Sequence, residues 1–406
     1  MKSPPVWSMP RVLLAAGGIY TAQSLVGSLT FSGVPAVLRA EKIALEQIGL
    51  VSLAMLVWAL KFLWAAPVER WRIAAGGKRR SRVLIITGEV VVVLALVAFA
   101  MAGKADFSIV LGLLVIVAVV SATVDIVCDA FLIEQFTDNK RGLANVAQVG
   151  GGYLGMIFGS GLFVASYAAF GWTIASLLLA ALVILFTIPM AMIREIPVIP
   201  SQSPTEPRLL NGLRRREVRI GIAMAITFEL SGRLAQALDG PFLVDANLPL
   251  ATLGLLKGAG GVAAGLVGTA FGGTLAHRIG SVNAMFSVAC LHCVSLAALA
   301  GAIVFAPDQL SLLVGLFVLE STVMAAGFVT SYARLMALTA PSQPGVDFTL
   351  FQCASAIAAA LCGMAGAMLA SRVGYAPIFA LAALLAILVP PLLFLFEHRL
   401  KRGILT

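Results

Sequence analysis

Charged residues are scarce in this chain, and so are cysteine and histidine. Only 12% of the 406 residues are charged, whereas ordinary soluble domains have about a quarter. The three histidines are scattered, and the five cysteines fall inside apolar runs without zinc-type spacing. The sequence therefore predicts no disulfide framework, no metal site and no cofactor.

Enzyme motifs are missing as well. The sequence contains no Walker phosphate-binding loop, no HExxH and no GxSxG. No polar segment is long enough to form a soluble catalytic domain. We therefore expect no ATPase, no other enzyme activity and no catalytic residues. The energy for any active process must then come from a gradient or from a partner.

Long apolar runs dominate the sequence, which is 60% hydrophobic. In lipid only helices or closed barrels satisfy every backbone group, and barrel strands alternate in short segments. Unbroken runs of about 20 residues are typical of membrane-spanning helices. About twelve such runs predict an all-α polytopic membrane protein. They are 11–36, 46–66, 82–103, 108–134, 142–168, 173–193, 219–245, 251–276, 282–304, 310–336, 347–371 and 377–397.

Basic residues are distributed unevenly between the loops. They concentrate in the loops at 67–82 and 194–218, whereas few fall on the opposite side of the predicted membrane. Lys and Arg in short loops mark the cytoplasmic side. The pattern predicts cytoplasmic termini, with the chain among the lipids of a bacterial inner membrane. The net charge of +9 follows from this asymmetry, and we expect no nucleic-acid partner.

A polar segment divides the apolar runs into two equal sets. Residues 194–218 are proline-rich and then basic, and they separate a six-helix bundle at 1–193 from another at 219–406. Two six-helix halves joined by a cytoplasmic linker indicate the major facilitator architecture, in which the halves rock around a site near the membrane midplane.

Acidic residues inside an apolar run form the most informative cluster. A charge near the bilayer centre costs at least ~2.5–3.5 kcal/mol on insertion scales, so it indicates a function or a partner. Asp125 and Asp129 are four residues apart and share a helix face. We place them, with Gln148, in a pathway for substrate or protons. A structural network with a neighbouring basic residue is the alternative.

Two longer stretches resemble a known family. They are IGLVSLAMLVWALKFLWAAPVERW (48–71), followed by GGKRRSRV, and DIVCDAFLIEQ…KRGLANVAQVGGGYLGMIFGSGL (125–162). These stretches resemble the AmpG-type branch of the major facilitator superfamily. That branch includes muropeptide permeases, acetyl-coenzyme A transporters and siderophore permeases of the RhtX/FptX type. The resemblance is strong in the N-terminal half and loose in the C-terminal half.

The resemblance implies a secondary transporter with alternating access, coupled to protons and monomeric. The stretch DFTLFQC (347–353) looks like the siderophore permeases, whereas Glu229 to Arg233 departs from the muropeptide permease pattern. We therefore expect import of a ferric siderophore. The alternatives are a muropeptide or other amphiphilic anion, or a non-transporting membrane enzyme or signalling subunit.

The remaining charges of the N-terminal half are interpreted as a conformational latch at the cytoplasmic side, or as a topology signal alone. Lys61 is at a depth that would let it pair with Asp129 or snorkel to the headgroups. Glu134 is expected to join Lys140 and Arg141. The predicted latch residues are Lys61, Glu69, Arg70, Arg79, Glu134 and Arg141.

The C-terminal half contributes further pathway candidates. Glu229 and Arg233 are four residues apart, so they neutralise each other or leave Arg233 to bind an anionic cargo group. Lys257 is a pathway candidate or the partner of Asp239. Glu320 stands mid-span without a basic residue within a turn, which marks a functional candidate.

Overall fold

A computed structural model of the chain describes residues 8–43, 50–51, 54–73, 79–103, 107–136, 140–193 and 206–402. Within these ranges the regular structure is helical, apart from one isolated bridge between Ile73 and Arg79. Lys78 and the proline-rich part of the expected linker, at 194–205, lie outside the described residues.

Thirteen helices account for most of the described chain, with one further short helix at Leu209–Arg214. The first six are α1 (Met9–Ala40), α2 (Ala54–Leu60), α3 (Phe62–Arg72), α4 (Ser81–Ala102), α5 (Phe107–Gln135) and α6 (Arg141–Met192). The others are α7 (Arg216–Gln236), α8 (Asp239–Asp245), α9 (Thr252–Ile279), α10 (Ser281–Phe305), α11 (Leu310–Met336), α12 (Pro344–Val373) and α13 (Tyr375–Arg402).

Nine of the described helical segments are long and apolar enough to cross a membrane. The 52-residue α6 amounts to two crossings, because Gly171 adopts φ +78° and breaks the helix between them. Two further crossings are not among these nine. One consists of α2 and α3, which are each short because the helix breaks at Lys61. The other is α7, which contains Glu229 and Arg233 in addition to the charges near its start. The fold is therefore an all-α polytopic membrane protein with about twelve transmembrane helices, as the apolar runs predict.

The chain forms two compact units. The first contains Met1–Thr137, Ala147–Gly212 and Ala340–Thr349, and the second contains Asp138–Val146, Leu213–Thr339 and Leu350–Thr406. Most of each unit comes from one half of the sequence. Two short segments, 138–146 and 340–349, belong to the unit of the other half.

In the first unit, α1, α4, α5 and α6 surround an apolar core. The Trp172 ring lies 4.5 Å from that of Phe99, and its indole nitrogen donates to the Phe99 carbonyl oxygen at 2.9 Å. Glycines allow α6 to approach α1 closely. A Cβ atom at Gly159 would lie 1.9 Å from the carbonyl oxygen of Leu25, so only glycine fits there.

In the second unit, α9 and α10 pack against α11, while α13 packs against α7 and α10. Phe242, Phe317 and Phe379 form a cluster of rings whose centroids are 5.6–5.8 Å apart. Gly268 and Gly272 bring α9 against the α11 backbone.

Three helices contain a π-helical turn, at Leu29–Gly33 in α1, Ile157–Leu162 in α6 and Leu256–Gly260 in α9. A π turn closes i→i+5 hydrogen bonds and is frequent at functional sites. The turns in α1 and α6 pack against each other. The turn in α9 contains Lys257, one of the charged residues singled out in the sequence.

Candidate functional site

Asp129 is the centre of a buried polar group in the first unit. Its Oδ1 accepts hydrogen bonds from the Tyr20 hydroxyl at 2.6 Å and from the Gln148 amide at 2.8 Å. Tyr20 lies on α1 and Gln148 on α6, so three helices meet at this carboxylate. The structure brings Asp129 and Gln148 together as expected, and it adds Tyr20, which the sequence analysis missed.

Asp125 lies one turn before Asp129 on α5 and forms an ion pair with Lys61. Lys61 stands at the break between α2 and α3, and its side chain is 4% exposed, so it does not snorkel to the headgroups. The expected partner of Lys61 was Asp129, but the ion pair falls on the other aspartate of the same helix face. Trp64 closes this region by donating to Thr123 at 3.1 Å.

Arg72 organises the charged network at the end of α3. Its guanidinium contacts Glu69 at 2.7 Å and Glu134 at 2.7 and 2.9 Å, and it donates to Ser81 at 3.3 Å. Arg79 adds a contact to Glu134 at 3.0 Å. The predicted latch contained Glu69, Arg79 and Glu134 but omitted Arg72. The spacing of Glu69 and Arg72, one helical turn apart, was the signal available in the sequence.

The other predicted latch residues are placed differently. Arg70 donates to the carbonyl oxygen of Pro207 at 3.1 Å, at the described end of the linker. Arg141 is half-buried at the first residue of α6. Next to Pro207, the Arg208 guanidinium donates to Glu206 at 2.8 Å, and this hydrogen bond lowers the pKa of that exposed carboxyl group.

Arg233 is held in place on three sides in the second unit. Its guanidinium donates to Glu229 at 3.0 and 3.1 Å and to Gln236 at 3.0 Å. It also stacks over the Phe328 ring, 4.8 Å from the ring centre. The structure thus forms the expected pair of Glu229 and Arg233. The side chain of Arg233 stays 29% exposed, so part of the guanidinium remains accessible.

Lys257 and Asp239 form an ion pair between α9 and α8, as one interpretation of the sequence predicts. The Lys257 side chain is 45% exposed, whereas that of Asp239 is 11% exposed. Both line a cavity together with Leu243, Phe317 and Ser321. A second cavity shares Asp239, Phe317 and Ser321 and extends to Glu320.

Glu320 has a basic partner that the sequence analysis did not anticipate. His292 on α10 places Nε2 at 2.9 Å from Glu320 Oε1, and Ser295 donates to the other carboxylate oxygen. The expectation of an isolated acid was wrong, because the partner comes from the preceding helix rather than from the same one. Nothing in the spacing of the three histidines indicated this contact.

Metal binding finds no support in the part of the chain that the structure describes, where no group of three or more His, Cys, Asp or Glu side chains could hold an ion. The charged groups instead pair with one another inside each unit. Burying such charges in an apolar bilayer is costly unless they are paired.

Comparison with known sequences identifies relatives among transport proteins. The chain is 26% identical over 293 residues to the anhydromuropeptide permease of Escherichia coli (strain K12), covering 69% of this chain but 58% of that permease. It is 23% identical over 379 residues to an uncharacterized protein of Haemophilus influenzae, covering 89% of this chain and 88% of the relative.

Solved structures share the fold at low sequence identity. The Escherichia coli fucose:proton symporter has a TM-score of 0.72 at 15% identity, covering 97% of this chain and 98% of the symporter. A bacterial homologue of the iron transporter ferroportin, in an outward-facing state, has a TM-score of 0.71 at 14% identity, covering 96% of this chain and 99% of that one. Residues 12–300 also match the sequence pattern of the Major Facilitator Superfamily. The chain belongs to the Major Facilitator Superfamily.

Proposed function

We propose that this transporter is a permease of the AmpG type, which imports a muropeptide or another amphiphilic anion by alternating access and is coupled to protons. The similarity to the anhydromuropeptide permease is the observation that carries this proposal, because it is a similarity of sequence over 293 residues rather than of fold alone. The ferric siderophore expected from the sequence has no support among these relatives, so the alternative cargo takes its place.

Arg233 is the proposed recognition site for the anionic part of the cargo. Its planar guanidinium can bind a carboxylate through two parallel hydrogen bonds. Glu229 already occupies one edge of the guanidinium, and Phe328 covers one face. We therefore propose that a cargo carboxylate binds the accessible edge and competes with Glu229 for the same cation.

The group around Asp125 and Asp129 is proposed to recognise the polar, uncharged part of the cargo. Carboxylate and amide side chains are good partners for sugar hydroxyl groups, since they accept or donate in fixed directions. Lys61, Tyr20 and Gln148 hold the two aspartates in place. Cargo hydroxyl groups would replace part of these internal contacts when the site opens.

The network around Arg72 is proposed to stabilise one conformation of the first unit. Buried ion pairs cost desolvation energy, and their best-attested use is to specify a state rather than to add stability. This proposal places the loops at 67–82 and 194–218, and both termini, in the cytoplasm, so that transport is directed inwards. We also propose that the transporter works as a monomer in a bacterial inner membrane.

Uptake in cells tests the cargo. The wild-type chain would be expressed in a bacterial strain without its own muropeptide permease. Uptake of radiolabelled anhydromuropeptide and uptake of a labelled ferric siderophore would then be measured separately, and we expect the former. Arg233→Ala should reduce anhydromuropeptide uptake by at least tenfold, and Arg233→Lys should restore it only in part, because an ammonium lacks the planar fork. Arg372→Ala is the matched control, since this arginine is exposed at the end of α12.

The result discriminates between the cargo classes. Uptake of anhydromuropeptide, lost in Arg233→Ala and retained in Arg372→Ala, supports the proposal. Uptake of the siderophore alone would contradict it and return the assignment to an iron transporter. Normal uptake by Arg233→Ala would leave the cargo class intact but remove the arginine from the binding site.

A further inference from the structure

His292 and Glu320 face each other inside the second unit. The distance of 2.9 Å between Nε2 and Oε1 is that of a hydrogen bond, and the two side chains are 4% and 8% exposed. In the described part of the chain neither of these two atoms makes a hydrogen bond with favourable angles, so the contact between them is defined by distance alone. A lone pair on each would repel the other, so a proton between them is required for the contact to be favourable.

Ser295 fixes the carboxylate from the other side. Its hydroxyl group donates to Glu320 Oε2 and lies 3.0 Å from the carbonyl oxygen of His292, one turn earlier on α10. The carboxylate therefore has a defined orientation towards the imidazole. A pair that needs one proton, and is held by a neutral donor that does not titrate, is suited to exchange a proton.

Glu320 borders a small cavity. This cavity shares Asp239, Phe317 and Ser321 with a neighbouring cavity, which Lys257 also lines. Both cavities are about the size of one or two water molecules and are too small for an amphiphilic cargo. Water in these cavities would therefore lie next to the Glu320 carboxylate, whereas the cargo would not reach it.

The site also contacts the helix that carries the proposed cargo arginine. A Cβ atom at Gly232 would lie 2.8 Å from Cε1 of His292 and 2.3 Å from the sulfur of Met324. The imidazole thus packs directly on the α7 backbone, one residue before Arg233. A change in the orientation of His292 therefore has a short mechanical path to Arg233.

Other charged groups lie on the remaining helices of the second unit. They are Glu229 and Arg233 on α7, Asp239 on α8, Lys257 on α9, Arg334 on α11 and Glu397 on α13, each of which is paired with another member of this set. The charges of these pairs compensate one another. The pair of His292 and Glu320 differs from these ion pairs, because a proton must lie between its imidazole and its carboxylate.

We propose that His292, Glu320 and Ser295 form the site at which the second unit binds the proton that is coupled to transport. The proton bound here bridges imidazole and carboxylate, and its release through the adjacent cavities separates them. This inference rests on the proposed transport function and adds His292 to it, with Gly232 as the contact that links the site to α7.

Reconstituted protein separates coupling from cargo movement. Proteoliposomes containing wild-type protein should exchange labelled anhydromuropeptide and also accumulate it when a pH gradient is imposed. In His292→Gln and Glu320→Gln the rate of exchange should stay within about threefold of the wild-type rate. The accumulation driven by the pH gradient should fall at least tenfold. His398→Gln, near the end of α13, is the matched histidine control and should keep both activities.

Parallel loss of exchange and accumulation in folded variants would overturn the inference, because the pair would then hold the cargo or the helices. Unchanged accumulation in both variants would overturn it as well. In either case the proposed cargo would stand on the wild-type result.

If the wild type does not exchange anhydromuropeptide, only the proposed function is refuted. The proton site can then be tested by a measurement that needs no cargo. Infrared difference spectra between acidic and alkaline buffer report protonated carboxyl groups in detergent-solubilised protein. A carboxyl band that is absent in Glu320→Gln, displaced in His292→Gln and unchanged in His398→Gln supports the site. Spectra identical in all four proteins would refute it.

Discussion

Removal of the Arg72 guanidinium should destabilise the protein more than removal of any neighbouring cation. The side chains of Arg72 and Glu69 are both fully buried, and that of Glu134 is 8% exposed. Arg72→Met keeps much of the apolar volume but leaves Glu69 as an unpaired buried charge. Breaking a buried ion pair by removing one partner costs about 3–5 kcal/mol, and we expect a loss of this size in the free energy of unfolding.

Arg79→Met is the matched control for this prediction. Arg79 contacts Glu134 at 3.0 Å, and Glu134 keeps Arg72 as a partner in that variant. A single hydrogen bond to a charged group is then lost, which costs about 1.5 kcal/mol. The double variant Arg72→Met, Glu69→Met removes both fully buried charges and leaves Glu134 paired with Arg79. It should recover most of the lost stability, since replacing a buried ion pair by apolar residues of similar volume is often neutral.

Unfolding in detergent micelles, followed by circular dichroism at increasing denaturant, measures these differences. The reasoning is refuted if Arg72→Met costs no more than Arg79→Met, or if the double variant is less stable than Arg72→Met alone. The first result would show that water reaches the carboxylates. The second would show that packing around the network, rather than charge, determines its contribution.

Three further predictions address packing, cargo binding and topology. Gly159→Ala should lower the thermal unfolding midpoint measured by size-exclusion chromatography, because the added Cβ meets the α1 backbone, and an unchanged midpoint would contradict the close approach. Asp125→Asn and Asp129→Asn should each abolish accumulation of labelled cargo while expression remains near normal; wild-type uptake by both would remove them from the pathway. In a cysteine-free background, Asp308→Cys should react with an impermeant maleimide in intact cells and Glu206→Cys should not; the reverse pattern would invert the proposed orientation.

The helices were predictable from the sequence, and so were the pairs Glu229–Arg233 and Lys257–Asp239, whereas the partners of Glu320 and Lys61 were not. Apolar runs predict spans because lipid tolerates few charges, and this argument works without any knowledge of neighbouring helices. The partner of Glu320 required the packing of α10 on α11, so the sequence left it isolated. The choice between Asp125 and Asp129 as the partner of Lys61 depends on the break between α2 and α3, which hydropathy does not register.

Cargo identity is the least predictable part. The stretch at 347–353 favoured a siderophore by resemblance, but a short motif gives no physical account of a ligand. Asp347 in that stretch accepts hydrogen bonds from the Ala340 backbone and from the Gln343 side chain, both at 2.8 Å. Its role in the structure is local, so the motif was a weak basis for choosing between cargo classes.

The paired π turns in α1 and α6 restrict how this protein can change length during evolution. A π turn contains one residue more than an α-helical turn, and each residue rotates the face of a helix by about 100°. Deleting one residue from Leu29–Gly33 alone would turn the following part of α1 away from α6. We therefore expect insertions and deletions to be tolerated in the loops of related chains but to occur in these two turns only together.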